Sequence, residues 1–266
     1  MPQRTVTFET KCWDKDWRFL LTTNYLEKNI AHQQFPFTRR VIFINNVRDT
    51  QAVTTAADRI KSQGVIDDYY VVEQYADEAL RFFQIPKESF GRGYYYSIAE
   101  LVSLYLCSTE YILHFAGDTY MPQPSDWVTP ALDILERRPD IVIANPTWNN
   151  NYLGAEQEST SQDNDFFYGY GFSDQCYLVR TRDFRQPIYM EKNNASERYP
   201  EYGGELFEKR VDAWMRNHQH LRATYRHNSY IHQNFPHLWW QKKLALRKWG
   251  VLNEAQSAVT ATHRIV

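Results

Sequence analysis

The sequence predicts an α/β protein with a mostly parallel central sheet that is flanked by helices on both faces. Two observations carry this prediction: short apolar runs rich in β-branched residues alternate with amphipathic segments, and the connections between them are short. Alternating strands and helices build a parallel sheet that is covered on both faces. The 266 residues, of which 43% are hydrophobic, are enough for one large domain with a core.

Six stretches have the composition of strands. They are either alternating and β-branched, or short and apolar between polar residues, which is typical of buried parallel strands. The predicted strands cover residues 5–11, 40–45, 69–73, 111–115, 140–144 and 175–180.

Helices are predicted between these strands, because apolar residues recur there at i, i+3, i+4 and i+7. The strongest pattern of this kind lies in residues 98–106. The predicted helices are one capped within residues 14–16, one over 50–63 that stops at Gly64, one opened by Ser97, one capped by Ser125 and one after Gly203 and Gly204.

The pattern changes near residue 148. Residues 148–165 are polar and rich in Asn, Ser and Gln, which predicts a mobile loop that becomes ordered over a bound ligand. The main domain is predicted to span residues 1–236, and residues 237–266 to form a basic, aromatic appendage. Such a segment fits peripheral contact with an anionic membrane and, equally, packing against the domain or a partner chain.

The overall composition excludes several classes of protein. A formal net charge of −2 argues against nucleic acid as the main partner, because phosphate binding needs an excess of basic residues. No stretch approaches the roughly 18 consecutive apolar residues of a membrane-spanning helix, and no apolar run follows the first methionine. The three cysteines are widely spaced, so we expect a reduced, cytoplasmic protein.

The carboxyl ends of the strands are where open α/β sheets bind their ligands. Asp118 follows a buried strand after two small residues, Ala116 and Gly117, which would let a bulky anion approach the backbone. A carboxylate there could hold Mg²⁺ or Mn²⁺ against a diphosphate. The alternative is that Asp118 caps the next turn. The candidate contacts to such a ligand are Thr10, Lys11, Asn45, Asn46, Gly117 and Asp118.

Three segments resemble, in the same order, segments of the family 2-like GT-A glycosyltransferases. Residues 111–119 resemble the segment that ends in the family's DxD motif, residues 172–180 the strand that walls the acceptor site, and residues 203–210 the acidic motif that opens a helix. The similarity extends over residues 5–235 in the order of elements. It implies a GT-A fold, a nucleotide diphosphate sugar donor with Mn²⁺ or Mg²⁺, and inverting transfer to a hydroxyl of a saccharide or lipid-linked saccharide.

The resemblance also implies roles for individual side chains. Glu205 would be the general base that takes the proton of the acceptor hydroxyl, with Glu208 as the second candidate. The alternative is a solvated acidic face on which Glu205 pairs with Lys209. His227 or His232 would supply a further metal ligand, unless these residues serve only at the surface or in packing.

Some positions depart from the family's pattern. Ala116 stands where the family has the first carboxylate of its DxD motif, which leaves metal dependence open. Asn45 and Asn46 replace the acid that often meets the nucleotide base, although an Asn amide can still pair with a pyrimidine edge. Arg92, in the turn over residues 90–94, could reach a phosphate or be a solvated turn residue.

Two other functions stay open at this point. A sugar nucleotidyltransferase would need a Gly-rich, basic loop after the first strand, whereas residues 10–13 contain no glycine. A non-catalytic sugar- or nucleotide-binding relic of the fold is favoured by Ala116. Binding of a nucleotide diphosphate without turnover of any donor would distinguish the relic from an enzyme.

Overall fold

The computed structural model describes residues 4–199 and 204–232, which form helices around one large sheet. The strands are β1 (Val6–Cys12), β2 (Arg39–Ile44), β3 (Asp68–Val71), β4 (Tyr111–Phe115), β5 (Thr119–Tyr120), β6 (Ile141–Trp148), β7 (Ser159–Gln162), β8 (Phe166–Gly169), β9 (Cys176–Arg180) and β10 (Leu221–His232). The helices are α1 (Trp17–Leu21), α2 (Tyr25–His32), α3 (Thr50–Ser62), α4 (Ala76–Phe83), α5 (Tyr94–Leu106), α6 (Val128–Arg137), α7 (Tyr152–Gln157), α8 (Thr181–Phe184) and α9 (Phe207–Asn217). Short 3₁₀ segments cover Val72–Gln74, Lys87–Gly93 and Asn194–Arg198.

The strand order of the sheet is β3-β2-β1-β4-β9-β6-β10-β8-β7, with β5 paired to β10. Strands β3, β2, β1 and β4 are parallel to one another, and β6 is parallel to β10. Strand β9 lies antiparallel between β4 and β6, so β6 and β10 run in the same direction as β1. The carboxyl ends of β1, β4 and β10 therefore lie at one edge of the sheet, and so does the beginning of β9.

Hydrophobic clusters cover both faces of the sheet. In β2, for example, Ile42 and Ile44 belong to one cluster, and Val41 and Phe43 belong to the other. Helices α1, α2, α3 and α6 pack into the first cluster, and α4, α5, α8 and α9 into the second. The predicted fold class, an α/β sheet with helices on both faces, is confirmed.

Two predicted helix starts are wrong by a few residues. Helix α5 begins at Tyr94, and Ser97 is buried inside it, where its Oγ accepts the backbone N–H of Phe207 at 2.9 Å. Ser97 therefore anchors the first residue of α9 instead of capping its own helix. Ser125 likewise lies before α6, whose N-cap residue is Trp127.

Residues 148–165, which were predicted to be a mobile loop, contain the end of β6, the helix α7 and the strand β7. The ordering of this segment over a bound ligand stays a prediction. Asn149 and Asn150 take left-handed conformations that turn the chain, and the side chain of Asn151 accepts the N–H of Gly154 at the start of α7. Strands β7 and β8 then form an antiparallel hairpin that pairs with β10. Asparagine favours such turns and caps, so the polar run encodes local structure.

Some predictions fall on residues outside the described part of the chain. These are Gly203, the domain boundary after residue 236 and the appendage over residues 237–266. The membrane contact assigned to that appendage therefore stays a prediction. Within residues 4–199 and 204–232, no helix is both long and apolar enough to cross a membrane.

The bond between Ser97 and Phe207 gives a test of how α9 is held. Ser97→Ala leaves a buried N–H without its acceptor, so we expect the free energy of unfolding to fall by about 1–3 kcal/mol. Ser103→Ala, at a buried serine six residues along the same helix, is the control and should cost less. Urea denaturation measures both variants. An equal loss in the two would show that the bond to α9 is not the cause.

Candidate active site

Five ionisable side chains lie at the edge where β1, β4 and β10 end and β9 begins. Lys11 Nζ lies 3.6 Å from Asp174 Oδ2, and His232 Nε2 lies 3.4 Å from Asp118 Oδ2. Glu208, in the first turn of α9, accepts the backbone N–H of Asp174 at 2.7 Å. These five residues are the candidate active site. The sequence predicted four of them, and the structure brings those four together.

Lys11 is held between two acids. Its Nζ donates to Glu100 of α5, whose side chain is fully buried, and it also faces Asp174. Burial alone would lower the pKa of Lys11, but the carboxylates of Glu100 and Asp174 outweigh it and raise that pKa. Lys11 therefore stays protonated, and the carboxylate of Glu100 neutralises part of its charge.

A second buried polar group lies on the same face of β1. His114 Nδ1 is 2.7 Å from Glu9 Oε1, and the ring of His114 stacks on Tyr177 with 4.8 Å between centroids. Burial lowers the pKa of His114, but Glu9 more than offsets this and the pKa is raised. Alternate residues of a strand share a face, so Glu9 and Lys11 form one polar row beneath the site.

The Asp118–His232 pair is the candidate metal or diphosphate contact. His232 Nδ1 is 3.1 Å from Gln175 Nε2, so the imidazole ring is held from both sides. The hydrogen bond with Asp118 raises the pKa of His232, while burial opposes the shift. His227, the other predicted ligand, is exposed and lies 3.1 Å from Asp165 on the turn between β7 and β8. The structure therefore favours His232 over His227.

The two predicted catalytic acids have different surroundings. Glu205 lies two residues before α9 and forms an ion pair with Lys209 at 2.8 Å, as in the alternative interpretation of the sequence. Glu208 faces Asp174, and burial together with that neighbouring carboxylate raises the pKa of Glu208 well above its usual range. A raised pKa is expected of a carboxylate that works as a base near neutral pH. Glu208 is therefore the better candidate.

Four further residues were predicted to contact the donor, and none of them is among the five side chains of the candidate active site. Thr10 is buried within β1, and Asn45 is buried with its Nδ2 donating to the carbonyl oxygen of Tyr95 at 2.8 Å. The hydroxyl of Thr10 is buried and the Nδ2 of Asn45 is engaged within the fold, and nucleotide contacts by these two residues stay predictions. Asn46 and Arg92 are exposed, and their roles stay predictions.

Gly117 has a different reason to be small from the one predicted. A Cβ at this position would come within 2.8 Å of Leu20 Cδ1 and 3.0 Å of the carbonyl oxygen of Lys11. The space beside Gly117 is filled by the chain itself, so the glycine allows β1, α1 and the end of β4 to pack closely. It does not leave room there for an anion.

Two acids of this region were missed by the sequence analysis. Asp174 precedes β9, and only the reversed direction of that strand brings it to the ligand-binding edge. Asp16, predicted only as a helix cap, is buried and accepts the N–H of Trp13 at 2.7 Å. Burial raises the pKa of Asp16 to about 8, and the neighbouring carboxylate of Asp118 adds to the shift.

A cavity of about 430 Å³ adjoins the candidate active site. Gln175 contributes to its wall and also contacts His232, so one side chain separates the cavity from the Asp118–His232 pair. Its lining includes Asn145, Trp148, Gln175, Arg198 and Arg222.

Comparison with known proteins gives structural likeness only. No protein-family model matches the chain, and no curated protein is similar in sequence. A mycobacterial protein of solved structure is 14% identical, with a TM-score of 0.50 over 88% of this chain and 68% of the other. Glucosyl-3-phosphoglycerate synthase of Mycobacterium tuberculosis, solved with Mn²⁺ and UDP, is 16% identical, with a TM-score of 0.47 over 94% of this chain and 82% of the other.

Mouse xyloside xylosyltransferase 1 is 10% identical, with a TM-score of 0.49 over 86% of this chain and 98% of the other. The two likenesses with TM-scores below 0.5 are too distant to support an argument about the site. The chain therefore shares the α/β fold of the mycobacterial protein, a mostly parallel sheet flanked by helices, as the sequence predicted.

The ion pair between Lys11 and Glu100 gives a test of the charge balance in the site. Lys11→Met leaves a buried carboxylate without its cation, so we expect the free energy of unfolding to fall by about 3 kcal/mol. The double variant Lys11→Met with Glu100→Leu should recover most of that loss. Urea denaturation of both single variants and the double variant measures the coupling. Additive losses would contradict the pairing.

Proposed function

We propose that this chain is a glycosyltransferase that moves a sugar from a nucleotide diphosphate sugar to a hydroxyl group of an acceptor. One observation carries the proposal: at the carboxyl edge of the sheet, Asp174 acts both on His232 of the Asp118–His232 pair and on a half-buried acid, Glu208, whose pKa is raised. The pair can hold a divalent cation that neutralises an anionic leaving group, and Glu208 can accept a proton. Sugar transfer needs both functions in one place.

The diphosphate of the donor would lie against Asp118 and His232. Two ligands in adjacent octahedral positions, each about 2.1 Å from an ion, are about 3 Å apart, and the 3.4 Å between Asp118 Oδ2 and His232 Nε2 fits that spacing. Mg²⁺-type ions often take one or two protein ligands and complete their shell with phosphate oxygens and water. Within residues 4–199 and 204–232 no cluster of three or more His, Cys, Asp or Glu could hold a metal. A Mg²⁺-type ion held by Asp118 and His232 would neutralise charge on the departing diphosphate.

Gln175 fixes which imidazole nitrogen faces the donor. His232 Nε2 can bind a cation only when the ring proton is on Nδ1, and Nδ1–H then needs an acceptor. The amide of Gln175 lies 3.1 Å away and can present its oxygen after a rotation of the amide group. Gln175 is therefore a positioning residue for His232.

Glu208 would take the proton of the acceptor hydroxyl as that oxygen attacks the anomeric carbon. Its anionic form is disfavoured by burial and by Asp174, which makes it a stronger base than an ordinary carboxylate. Lys11 lies near the same group and lowers the pKa of Glu208 in part, so it limits the shift. A single base with no covalent intermediate is expected to invert the configuration at the anomeric carbon.

A second candidate function has one observation in its favour. Ala116 lies two residues before Asp118 and provides no carboxylate. The absence of this carboxylate fits a nucleotide-binding relic of the fold that no longer catalyses transfer. The relic and the enzyme share the donor site and differ in the role of Glu208. Turnover therefore distinguishes them, whereas nucleotide binding does not.

Asp118→Asn tests the donor site. We expect the affinity for UDP in the presence of Mn²⁺ to fall at least tenfold, because one anionic ligand is lost, and transfer to be abolished while the fold is kept. Isothermal titration with and without Mn²⁺ measures the change. Asp165→Asn, which removes the partner of His227, is the control and should bind UDP as the parent chain does. Undiminished binding by Asp118→Asn would remove Asp118 from the site.

Glu208→Gln and Glu205→Gln test the base. A positioned base contributes about 10²- to 10⁴-fold in rate, so we expect kcat to fall by that factor in Glu208→Gln with donor affinity unchanged. Glu205→Gln should stay within a few fold of the parent. In the parent, kcat should rise with pH through the raised pKa of Glu208, above the range of an ordinary carboxyl. Loss of activity in Glu205→Gln alone would assign the base to Glu205.

A further inference from the structure

The cavity beside the candidate active site contains two arginines that approach one another. A Cβ placed on Gly171 would lie 2.7 Å from Arg198 Nη2 and 3.3 Å from Arg222 Nη1, so the two nitrogens are separated by at most the sum of these distances, about 6 Å. Gly171 has a φ of 111°, a conformation open to glycine. The glycine at this position therefore lets the two guanidinium groups approach each other to within about 6 Å.

The counter-charges in the cavity do not use the full donor capacity of these groups. Arg222 is 8% exposed; its Nη2 donates to Glu158 at 3.3 Å, but its buried Nε has no hydrogen-bond partner among the described residues. Arg198 has a long contact of 3.5 Å with Asp212, which is shared with Arg216. A buried donor without an acceptor costs about 1–3 kcal/mol, so an acceptor group is expected to occupy this place in the functional complex.

The rest of the cavity suits a polyhydroxylated ligand. Asn145 Oδ1 is buried without a partner in the described part of the chain, so the lining of the cavity includes a further polar group. The ring of Trp148 packs against the guanidinium of Arg222 at 5.2 Å. A volume of about 430 Å³ lies within the range of about 300–1,000 Å³ that small-molecule sites occupy.

We propose that this cavity is the acceptor subsite and that the acceptor carries an oxyanion, a carboxylate or a phosphate, which Arg198 and Arg222 bind together. Arginine binds both groups through paired N–H donors. Because Gln175 joins the cavity to His232, an anion held there would place the hydroxyl groups of the same molecule toward the donor site. That the ligand is the sugar acceptor rests on the proposed function. That the ligand carries an oxyanion rests on the cavity alone.

The test uses three sugars of the same ring with different groups at C6: glucose, glucuronate and glucose 6-phosphate. Isothermal titration of the full chain, at constant ionic strength and with saturating UDP, should give at least tenfold tighter binding of one or both anionic sugars than of glucose. The two anionic probes distinguish a carboxylate site from a phosphate site. Equal affinity for glucose and for both anionic sugars would overturn the proposal.

Variants of the arginines locate the site. Arg222→Gln and Arg198→Gln should each weaken binding of the anionic sugar at least tenfold and leave glucose binding unchanged. Arg226→Gln is the matched control, because Arg226 is on the same strand but is only half-buried and donates to Gln162 and the carbonyl oxygen of Asp163. If Arg222→Gln does not fold, Arg198→Gln decides the question, since its side chain is half exposed. An equal loss in Arg226→Gln would show a general effect of charge and contradict the site.

The two proposals fail in different ways. A chain that binds UDP but shows no preference for the anionic sugars keeps the proposed donor site and loses the anionic acceptor. Binding of an anionic sugar that depends on Arg222, in a chain that does not bind UDP, supports the oxyanion site and contradicts the glycosyltransferase.

Discussion

The contact on which the candidate site depends is the one between Lys11 and the two acids beside it. Lys11 is the last residue but one of the first strand, Glu100 belongs to the helix α5, and Asp174 lies two residues before the reversed strand β9. One cation therefore joins three elements that are far apart in the chain. Without Lys11, Glu100 would be buried with no counter-charge. The repulsion between the carboxylates of Asp174 and Glu208 would also be less offset.

The same cation sets the chemistry available at the edge of the sheet. Burial and Asp174 raise the pKa of Glu208, and Lys11 limits that rise. On the other side, His232 and Asp118 form a pair that Gln175 holds in place. The site thus contains an acid with a raised pKa, Glu208, and the Asp118–His232 pair. Asp174 contacts Glu208, and Gln175 contacts His232. The short segment before β9 therefore contacts both the acid proposed as the base and the pair proposed to bind the donor.

Much of the fold could be predicted from the sequence, because local patterns encode it. The strand at residues 40–45 and the helix at 50–63 follow from apolar spacing and a terminal glycine, and they lie where predicted. The hairpin after Asn149 could not be recognised by apolar periodicity, since its polar residues encode turns and caps. Ser97 was misassigned because the N–H that it accepts belongs to Phe207, 110 residues away in the chain.

The site was predicted only in part for a related reason. Asp118 follows from its place at a strand end, and His232 was one of the two histidines that the resemblance implied. The structure pairs these two residues. Asp174 could not be predicted, because an acid before a strand comes to this edge only if the strand is reversed, and direction is a property of the whole sheet. The choice between Glu205 and Glu208 likewise depends on whether each faces Lys209 or Asp174, which helical spacing alone cannot decide.

Whether a nucleotide diphosphate binds at the Asp118–His232 pair is the claim on which the proposed function rests. Electron spin echo spectroscopy of the full chain with Mn²⁺ and UDP tests it most directly, because it detects phosphorus and imidazole nitrogen coupled to the same ion. The account predicts both couplings in the parent chain and in His227→Gln, and loss of the nitrogen coupling in His232→Gln. A nitrogen coupling that persists in His232→Gln, or the absence of any phosphorus coupling in the parent chain, would contradict it.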